Sequence, residues 1–260
     1  MNPPSSLQSL PTKTPQPIEI DVVFLSHAHT PALHQITVDA LASLEASEDP
    51  TQIRFLSIVV ESHRDSGDYP AATTIHPRGN FGYHRFMNIG VQAGGAPFVC
   101  MCNNDLVFHP GWATQILKAF ACDPALMSAS PRCGQFHARV LPPNHDDIIT
   151  GYQNGVHVAG WCLFVRRALF QQIGGLDERF RFWYCDDDYR LTLQSRGLKH
   201  ALITHSRVDH LGSYTLNTLT DSRNKARMTS RQALLFHYKW GHRSWVLYWL
   251  KRLKYSLLRH

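Results

Sequence analysis

The sequence has no uninterrupted apolar segment long enough to span a bilayer, and its N-terminus lacks the basic start and apolar run of a secretory signal. Internal repeats and a second domain are also missing from the pattern. These absences predict a cytoplasmic protein that is soluble or held peripherally at the inner face of the membrane. With 43% hydrophobic and 18% charged residues, a chain of 260 residues is long enough for one large domain with a substantial core.

Cysteines are few and scattered, without the paired spacing of a metal site. Most lie within apolar runs, so we expect reduced thiols in the core. They are Cys100, Cys102, Cys122, Cys133, Cys162 and Cys185. Acidic residues are outnumbered, and the net charge of +6 favours anionic partners such as nucleotides, phosphorylated lipids, an acidic membrane surface or nucleic acid. Charge alone does not choose among these partners.

The composition changes twice along the chain. Residues 1–17 are rich in Pro, Ser, Thr and Gln and poor in large apolar side chains, which predicts a flexible leader. Residues 18–243 alternate apolar strands with helical patterns, and strands that end in polar loops between helices predict a doubly wound α/β domain. Residues 244–260 mix aromatic and aliphatic side chains with cations. This end is interpreted as a basic amphipathic helix at a membrane interface, with docking on the protein or another subunit as the alternative.

The domain is organised around residues 98–108, a short apolar run interrupted by Asn103-Asn104-Asp105. Glycines and a proline precede the run and Pro110-Gly111 follows it, which favours a buried parallel strand over a helix. Ligands of open α/β sheets bind at the carboxyl ends of strands, so Asp105 is a candidate for chemistry. The alternative is that these three polar residues only form a turn.

Two further segments place polar groups at the ends of predicted elements. The second predicted strand, 53–60, ends in an acidic, turn-rich loop that begins at Glu61. Gly79 and Gly82 flank the start of the next predicted helix, where backbone amides and the helix dipole favour a phosphate. Simple turn chemistry is the alternative for this glycine pair.

An acidic run, Asp186-Asp187-Asp188, opens a helix that is predicted to end at Arg196 before Gly197. Carboxylates at a helix N-terminus are favoured by the helix dipole, so capping is one interpretation. Three carboxylates in a row, between aromatic residues in a basic protein, exceed what a cap needs. His210 follows a short predicted strand, 201–204, and a lone histidine is most often structural.

Together these segments resemble glycosyltransferase family 2, enzymes of the GT-A fold that use nucleotide-sugar donors, and they are most similar to its rhamnosyltransferase-like bacterial branch. The similarity runs from about Ile20 to Tyr238. Five motifs occur in the family order: a strand ending in an acid, an Asn-x-Gly segment, an Asn-Asn-Asp stop, a Gly-Gly-x-Asp-Glu-x-Phe turn and an acidic cluster. Here they are Glu61, Asn80-Phe81-Gly82, Asn103-Asn104-Asp105, residues 174–180 and Asp186-Asp187-Asp188.

The resemblance implies a single GT-A type, Rossmann-like domain with a mixed, mostly parallel sheet flanked by helices. It implies a divalent metal held by Asp105 and His210, and a hard oxygen ligand suits Mn²⁺ or Mg²⁺. Asn103 replaces the first acid of the more common Asp-x-Asp form. The donor-binding residues that the resemblance implies are Glu61, Asn80, Gly82, Asn88, Asn104 and Asp105.

By the same resemblance, Asp186 is the general base that removes the proton of the acceptor hydroxyl, and Asp187 is the second choice. The family pattern Glu-Asp-x-Asp aligns with Cys185, Asp186 and Asp188, and the cysteine leaves the assignment open by one residue. Trp161 and Asp188 are the acceptor-binding candidates. Burial in the core is the alternative for Trp161.

The expected function is the inverting transfer of a sugar from a nucleotide-diphosphate sugar to a hydroxyl of a glycan or lipid-linked acceptor. Two alternatives remain. One is transfer to a nucleic-acid base or a protein, suggested by the positive charge. The other is a non-catalytic member of the fold that binds a nucleotide sugar or a glycan. The cations that suggest the first alternative are Arg223, Lys225, Arg227 and Arg231.

Overall fold

The computed structural model describes residues 16–142, 145–212, 222–241, 244, 246 and 248–252, so most of the predicted leader and much of the C-terminal segment lie outside it. The strands are β1 (Ile18–Ser26), β2 (Ile53–Glu61), β3 (Thr73–Ile75), β4 (Phe98–Asn103), β5 (Leu106–Phe108), β6 (Leu126–Arg132), β7 (Ile148–Thr150), β8 (Cys162–Arg166) and β9 (Lys199–His210). The helices are α1 (Pro31–Glu45), α2 (Tyr83–Ala93), α3 (Trp112–Cys122), α4 (Gly134–His137), α5 (Ala168–Ile173), α6 (Cys185–Ser195) and α7 (Ser222–Trp240). Within this described part, every helix is too short or too polar to cross a membrane.

The strands form one mixed sheet in the order β3-β2-β1-β4-β8-β6-β9-β5, and β7 also pairs with β9. β1 pairs in parallel with β2 and β4, and β6 pairs in parallel with β9. Strands β5, β7 and β8 run against their neighbours, so the other described strands share one direction. The predicted single α/β domain with a mixed, mostly parallel sheet is confirmed.

The centre of the sheet is covered on both faces, which is why β1 and β4 are almost continuously apolar. On one face α1 and α3 pack around Phe24 and Trp112. On the other face α2, α5 and α6 pack around Val23, Met101 and Tyr189. Because both layers hold the central strands, the carboxyl ends of β1 and β4 form a rigid edge.

Residues 131–210 differ from the predicted elements. The turn-rich sequence of residues 131–155 predicts a loop, whereas the structure has α4 and β7 there. The apolar run over residues 156–165 predicts one strand, but only its second half forms β8. The preceding residues turn back on Gln153, whose carbonyl accepts the N–H groups of His157 and Val158. The short strand expected at 201–204 is part of the longer β9, which pairs with β6 and β7 and then with β5. His210 therefore ends a strand instead of lying in a loop.

Candidate active site

A cavity of about 420 Å³ opens at the carboxyl ends of β1 and β4, the edge at which ligands of open α/β sheets bind. Its volume lies within the range of small-molecule sites. The turn between β4 and β5, the turn before β8, the start of α6 and the end of β9 converge there. Its lining includes Asn103, Asn104, Asp105, Gly160, Trp161, Asp186, Asp187 and His210.

Asp105 and His210 meet in the cavity because β5 pairs with the end of β9, where Leu106 lies opposite His210. The backbone N–H of Leu211 also donates to the Asp105 carbonyl at 3.0 Å. Both side chains are largely buried, and His210 Nε2 lies 3.2 Å from Asp105 Oδ1. This contact lacks hydrogen-bond geometry, so Nε2 is a buried nitrogen without a hydrogen-bond partner among the described residues.

A buried imidazole nitrogen that lacks a partner, beside a carboxylate oxygen, is a donor set that fits Mn²⁺. Trp161 stacks on the His210 ring, with ring centroids 5.3 Å apart and planes within 5° of parallel. The stacking restricts the orientation of the imidazole, so Trp161 positions the His210 ring. The Trp161 side chain is partly exposed, so it is not fully buried in the core. One face of its ring lies against His210, so both faces are not free for a sugar.

Asp186 lies in the first turn of α6 and faces the cavity. The preceding Tyr184 has a φ of 63°, a left-handed conformation that no other described non-glycine residue adopts and that costs free energy. Partial burial at the cavity wall, followed by the negative charge of Asp187, raises the pKa of Asp186 to about 6. A carboxyl group that ionises near pH 6 suits a general base.

The Asp186 carboxylate packs directly on the backbone of Gly160. A Cβ atom added at Gly160 would lie 2.1 Å from Asp186 Cγ, so only glycine leaves room for this carboxylate. The Tyr83 hydroxyl donates to the Gly160 carbonyl at 3.2 Å and lies 3.4 Å from Asn103 Oδ1. These contacts tie the turn before β8 to α2 and β4, and they set the position of Asp186.

Asp187 and Asn104 also line the cavity, but their side chains are engaged within the protein. Asp187 Oδ1 accepts a hydrogen bond from Arg190 Nε at 2.9 Å, one turn further along α6. The Asn104 amide donates to Thr37 Oγ1 at 2.9 Å and holds α1 against the β4–β5 turn. Asp187 therefore has a cationic partner on its own helix, and no such partner is seen for Asp186 among the described residues.

Glu61 does not line the cavity, although the resemblance placed it against the nucleobase or ribose. Its side chain is 1% exposed, and one oxygen accepts the backbone N–H groups of Ala28 and His63 at 3.1 and 2.7 Å. The other oxygen accepts the Tyr69 hydroxyl at 3.0 Å. The hydrogen bonds continue through Tyr69, Ser26, Thr37 and Asn104. Glu61 thus holds the loop after β1 through the N–H of Ala28. Both of its oxygens accept hydrogen bonds from within the protein.

Asn88 and Asp188 also lie away from the cavity. The Asn88 amide bonds the N–H and C=O of Leu176 at 3.0 and 2.9 Å, which clamps the Gly-Gly turn onto α2. Asp188 is 2% exposed and accepts from Trp240 Nε1 and Lys239 Nζ at 2.8 and 2.7 Å. These contacts tie α6 to α7, so the structure gives both side chains a role in packing.

The Asn80–Gly82 segment reaches the cavity through its aromatic neighbours instead of the two expected residues. Asn80 is exposed, and its carbonyl accepts the Arg85 guanidinium at 3.0 Å. Gly82 caps α2 in an extended conformation. Phe81 and Tyr83 line the cavity. Asn80 and Gly82 themselves are not among the residues that line the cavity.

Sequence patterns did not identify the aromatic wall of the cavity, to which residues 182–184 and Tyr83 contribute. The position of 182–184 beside the acidic run is the signal that would have found them. His27 was also missed, and it follows β1 with ring centroids 5.2 Å from His29 and 5.7 Å from His63. Burial and then the neighbouring His29 lower the pKa of His27, so its ring is neutral at physiological pH.

The sequence matches no family model and no curated protein. Among the solved structures that match is a crystal structure of GalNAc-T7 with UDP, GalNAc and Mn²⁺. The TM-score is 0.55 at 12% sequence identity, over 74% of this chain and 44% of that chain, so this chain spans less than half of the length of GalNAc-T7. Such a likeness shows the fold alone. The chain has the predicted GT-A fold, and membership of glycosyltransferase family 2 stays a prediction.

Proposed function

We propose that the chain is a glycosyltransferase that takes a sugar from a nucleotide-diphosphate sugar in the presence of a divalent metal. The observation that carries this proposal is one cavity, at the carboxyl edge of the sheet, that contains both the Asp105–His210 pair and the carboxylate of Asp186. A protein of the same fold, GalNAc-T7, was solved with UDP, GalNAc and Mn²⁺, which supports the donor class and the ion.

Asp105 and His210 would hold the Mn²⁺ or Mg²⁺. When bound, the ion supplies positive charge to the diphosphate leaving group. Trp161 keeps the His210 ring in one orientation by stacking on it. The N–H of Leu211 donates to the Asp105 carbonyl and so holds the Asp105 backbone. The two ligands therefore need little reorganisation to bind the ion.

Asp186 is the proposed general base of an inverting transfer. Its carboxylate accepts the proton of the acceptor hydroxyl as that oxygen attacks the anomeric carbon from the face opposite the diphosphate. Asp186 is preferred to Asp187 because the carboxylate of Asp187 is already paired with Arg190. Gly160 leaves Asp186 the space it occupies at the cavity wall.

Gly160→Ala is expected to displace the Asp186 carboxylate, because the end of a side chain moves more easily than the backbone of the turn before β8. A shift of about 1 Å in a reacting group costs up to about 100-fold in turnover. The measurement is initial rate of sugar transfer at saturating donor. Gly95→Ala is the matched control, since a Cβ at Gly95 meets nothing within 4 Å. Equal rates for the two folded variants would contradict the proposed contact.

The proposed acceptor is a glycan or a lipid-linked sugar. Phe182, Trp183 and Phe81 line the cavity, and aromatic rings offer the flat apolar surface on which a sugar ring packs. The alternative of a nucleic-acid or protein acceptor depends on cations at 223–227, whose side chains lie outside the described residues. Arg231 is the member of that group whose side chain is described, and it is not among the residues that line the cavity.

A peripheral position at the inner face of the membrane is also proposed. Val246, Trp249 and Leu250 are exposed in the described part of the C-terminal segment, at 55%, 37% and 58%. The Arg252 guanidinium lies 4.7 Å from the Trp249 ring centroid. Exposed aromatic and aliphatic side chains beside cations are typical of a helix in a membrane interface.

A donor screen by thermal unfolding tests the proposed function. UDP-, dTDP- and GDP-sugars are added with and without Mn²⁺, and one of them is expected to raise the Tm only when Mn²⁺ is present. A donor at about 100 times its Kd adds about 2.7 kcal/mol of stability, which is about 5–10 °C for a domain of this size. No shift with any donor would contradict the proposal, and binding without transfer across acceptors would favour a non-catalytic role.

A further inference from the structure

Three thiols converge in the core on the side of the sheet that α1 and α3 cover. Cys100 and Cys102 alternate along β4 and so share one face. Cys162 lies directly opposite Cys102 in the antiparallel pair of β4 and β8. The Sγ–Sγ distances are 3.3 Å between Cys100 and Cys102, 3.6 Å between Cys100 and Cys162, and 3.9 Å between Cys102 and Cys162.

This triangle has the dimensions of a donor set for one ion. The sulfur atoms are too far apart for a disulfide, whose S–S bond is about 2.05 Å. An ion at the centre of the triangle would lie about 2.1 Å from each sulfur, close to the ~2.3 Å at which thiolates bind Zn²⁺. All three residues are 0% exposed, so neither water nor a small anion is available as a further ligand.

We propose that Cys100, Cys102 and Cys162 form a site for a soft monovalent cation, Cu(I), separate from the Asp105–His210 pair. Thiolate sulfur selects soft ions such as Cu(I) and Zn²⁺. Structural Zn²⁺ requires four ligands, and within the described residues no further Cys, His, Asp or Glu joins this group of three. Cu(I) is satisfied by three sulfurs.

Binding changes the protonation of the site. The ligands of Cu⁺ are thiolates, so each thiol that binds the ion releases its proton. Because the thiols are fully buried, the ion must enter before the core closes, so binding is coupled to folding.

The ion would link β4 to β8 beneath the cavity. Cys102 precedes Asn103 and Cys162 follows Trp161, and the Asn103 N–H donates to the Trp161 carbonyl at 2.9 Å. Both of these neighbours line the cavity. The site therefore stabilises the cavity floor without contacting a substrate.

The test is refolding of the full chain without oxygen, with Cu(I) in a buffer that contains glutathione as competing thiol. After gel filtration, elemental analysis is expected to find about one copper per chain, and copper X-ray absorption is expected to show three sulfur neighbours and no nitrogen or oxygen. Cys102→Ala and Cys162→Ala should each lower the retained copper at least about 10-fold, because two sulfurs compete poorly with glutathione. Cys122→Ala, at an exposed thiol, and Cys133→Ala, at a buried thiol outside the cluster, are the matched controls.

Wild-type protein that refolds in the presence of Cu(I) but retains no copper would overturn the proposal. So would nitrogen or oxygen atoms bound to the copper, or equal retention of copper in all variants. Retention of Zn²⁺ in preference to Cu(I), when both are offered, would overturn the choice of ion. Circular dichroism identifies the variants that fold. If Cys102→Ala or Cys162→Ala does not fold, Cys100→Ala provides the same comparison of retained copper. The absorption measurement on the wild type depends on no variant, and neither readout depends on sugar transfer.

Discussion

Asp186→Asn is expected to lower the turnover of sugar transfer by about 100- to 10,000-fold, the range that general bases contribute. The amide cannot accept the proton of the acceptor hydroxyl. Donor binding should persist, because Asp105 and His210 are unchanged. The measurement is the initial rate of transfer together with the donor-induced shift in Tm.

Asp187→Asn is the matched control, since Asp187 lies beside Asp186 and pairs with Arg190. It is expected to keep most of the turnover. The charge of Asp187 contributes to the raised pKa of Asp186, so removing it should move the pH midpoint of transfer below about 6. Unchanged turnover in Asp186→Asn would exclude Asp186 as the base, and a loss confined to Asp187→Asn would assign the role to Asp187.

The pH dependence of sugar transfer by the wild type is an independent test of Asp186 as the base. The base must be ionised to accept a proton, and burial raises the pKa of Asp186 from 3.8 to about 6. Transfer is therefore expected to increase between about pH 5 and pH 7. The residual transfer of Asp186→Asn should lack this step.

The raised pKa also predicts that Asp186→Asn is not destabilised. The folded protein binds this proton more tightly than the unfolded chain, so stability falls as the pH rises from about 4 to about 6, by at most roughly 3 kcal/mol. Asparagine avoids this penalty. Thermal unfolding at neutral pH should give the variant a Tm at or above that of the wild type, and the difference should vanish below pH 4.

Asp105→Asn is expected to remove most of the metal-dependent transfer, by roughly 1,000-fold, because a metal supplies several kcal/mol of charge stabilisation. The amide oxygen is a weaker ligand than a carboxylate and carries no charge. The measurement is the rate as a function of Mn²⁺ concentration, in which the variant should need far more Mn²⁺. His210→Ala should shift the same curve in the same direction.

Asp39→Asn is the control for loss of a carboxylate, since Asp39 is exposed on α1 and bonds only Gln35 among the described contacts. It should leave the Mn²⁺ dependence unchanged. An Asp105→Asn variant that folds, binds donor and transfers sugar with the wild-type Mn²⁺ dependence would remove Asp105 from the proposed metal site.

Elements that depend on local periodicity were predicted close to their observed bounds. The sequence of residues 168–173 predicts a short helix, and α5 spans the same residues. The helix expected to open with the acidic run is α6, which begins at Cys185. The buried strand before Asp105 is β4. Apolar spacing reports which side of a segment is buried, and this information is contained in a few neighbouring residues.

Side-chain partners were much harder to predict, because they come from distant parts of the chain. Glu61 and Asp188 are polar residues near the ends of elements, as Asp105 and Asp186 are, and Asn88 lies in the middle of α2. Packing gives Glu61, Asn88 and Asp188 their partners and leaves Asp105 and Asp186 at the cavity. No local pattern separates the two groups, since a hydrogen bond to a remote backbone leaves no mark in the neighbouring sequence.

The sequence by itself determined the α/β class, the central strands and the acids at the ends of those strands. The spacing of apolar residues and the positions of turn residues determine local structure within a few neighbouring residues. Only the tertiary structure decided which of those acids face one cavity. The pairing of β5 with β9 brings His210 to Asp105, and the packing of Gly160 on Asp186 places the proposed base. Both contacts join segments far apart in the chain, and they form only when the sheet is assembled.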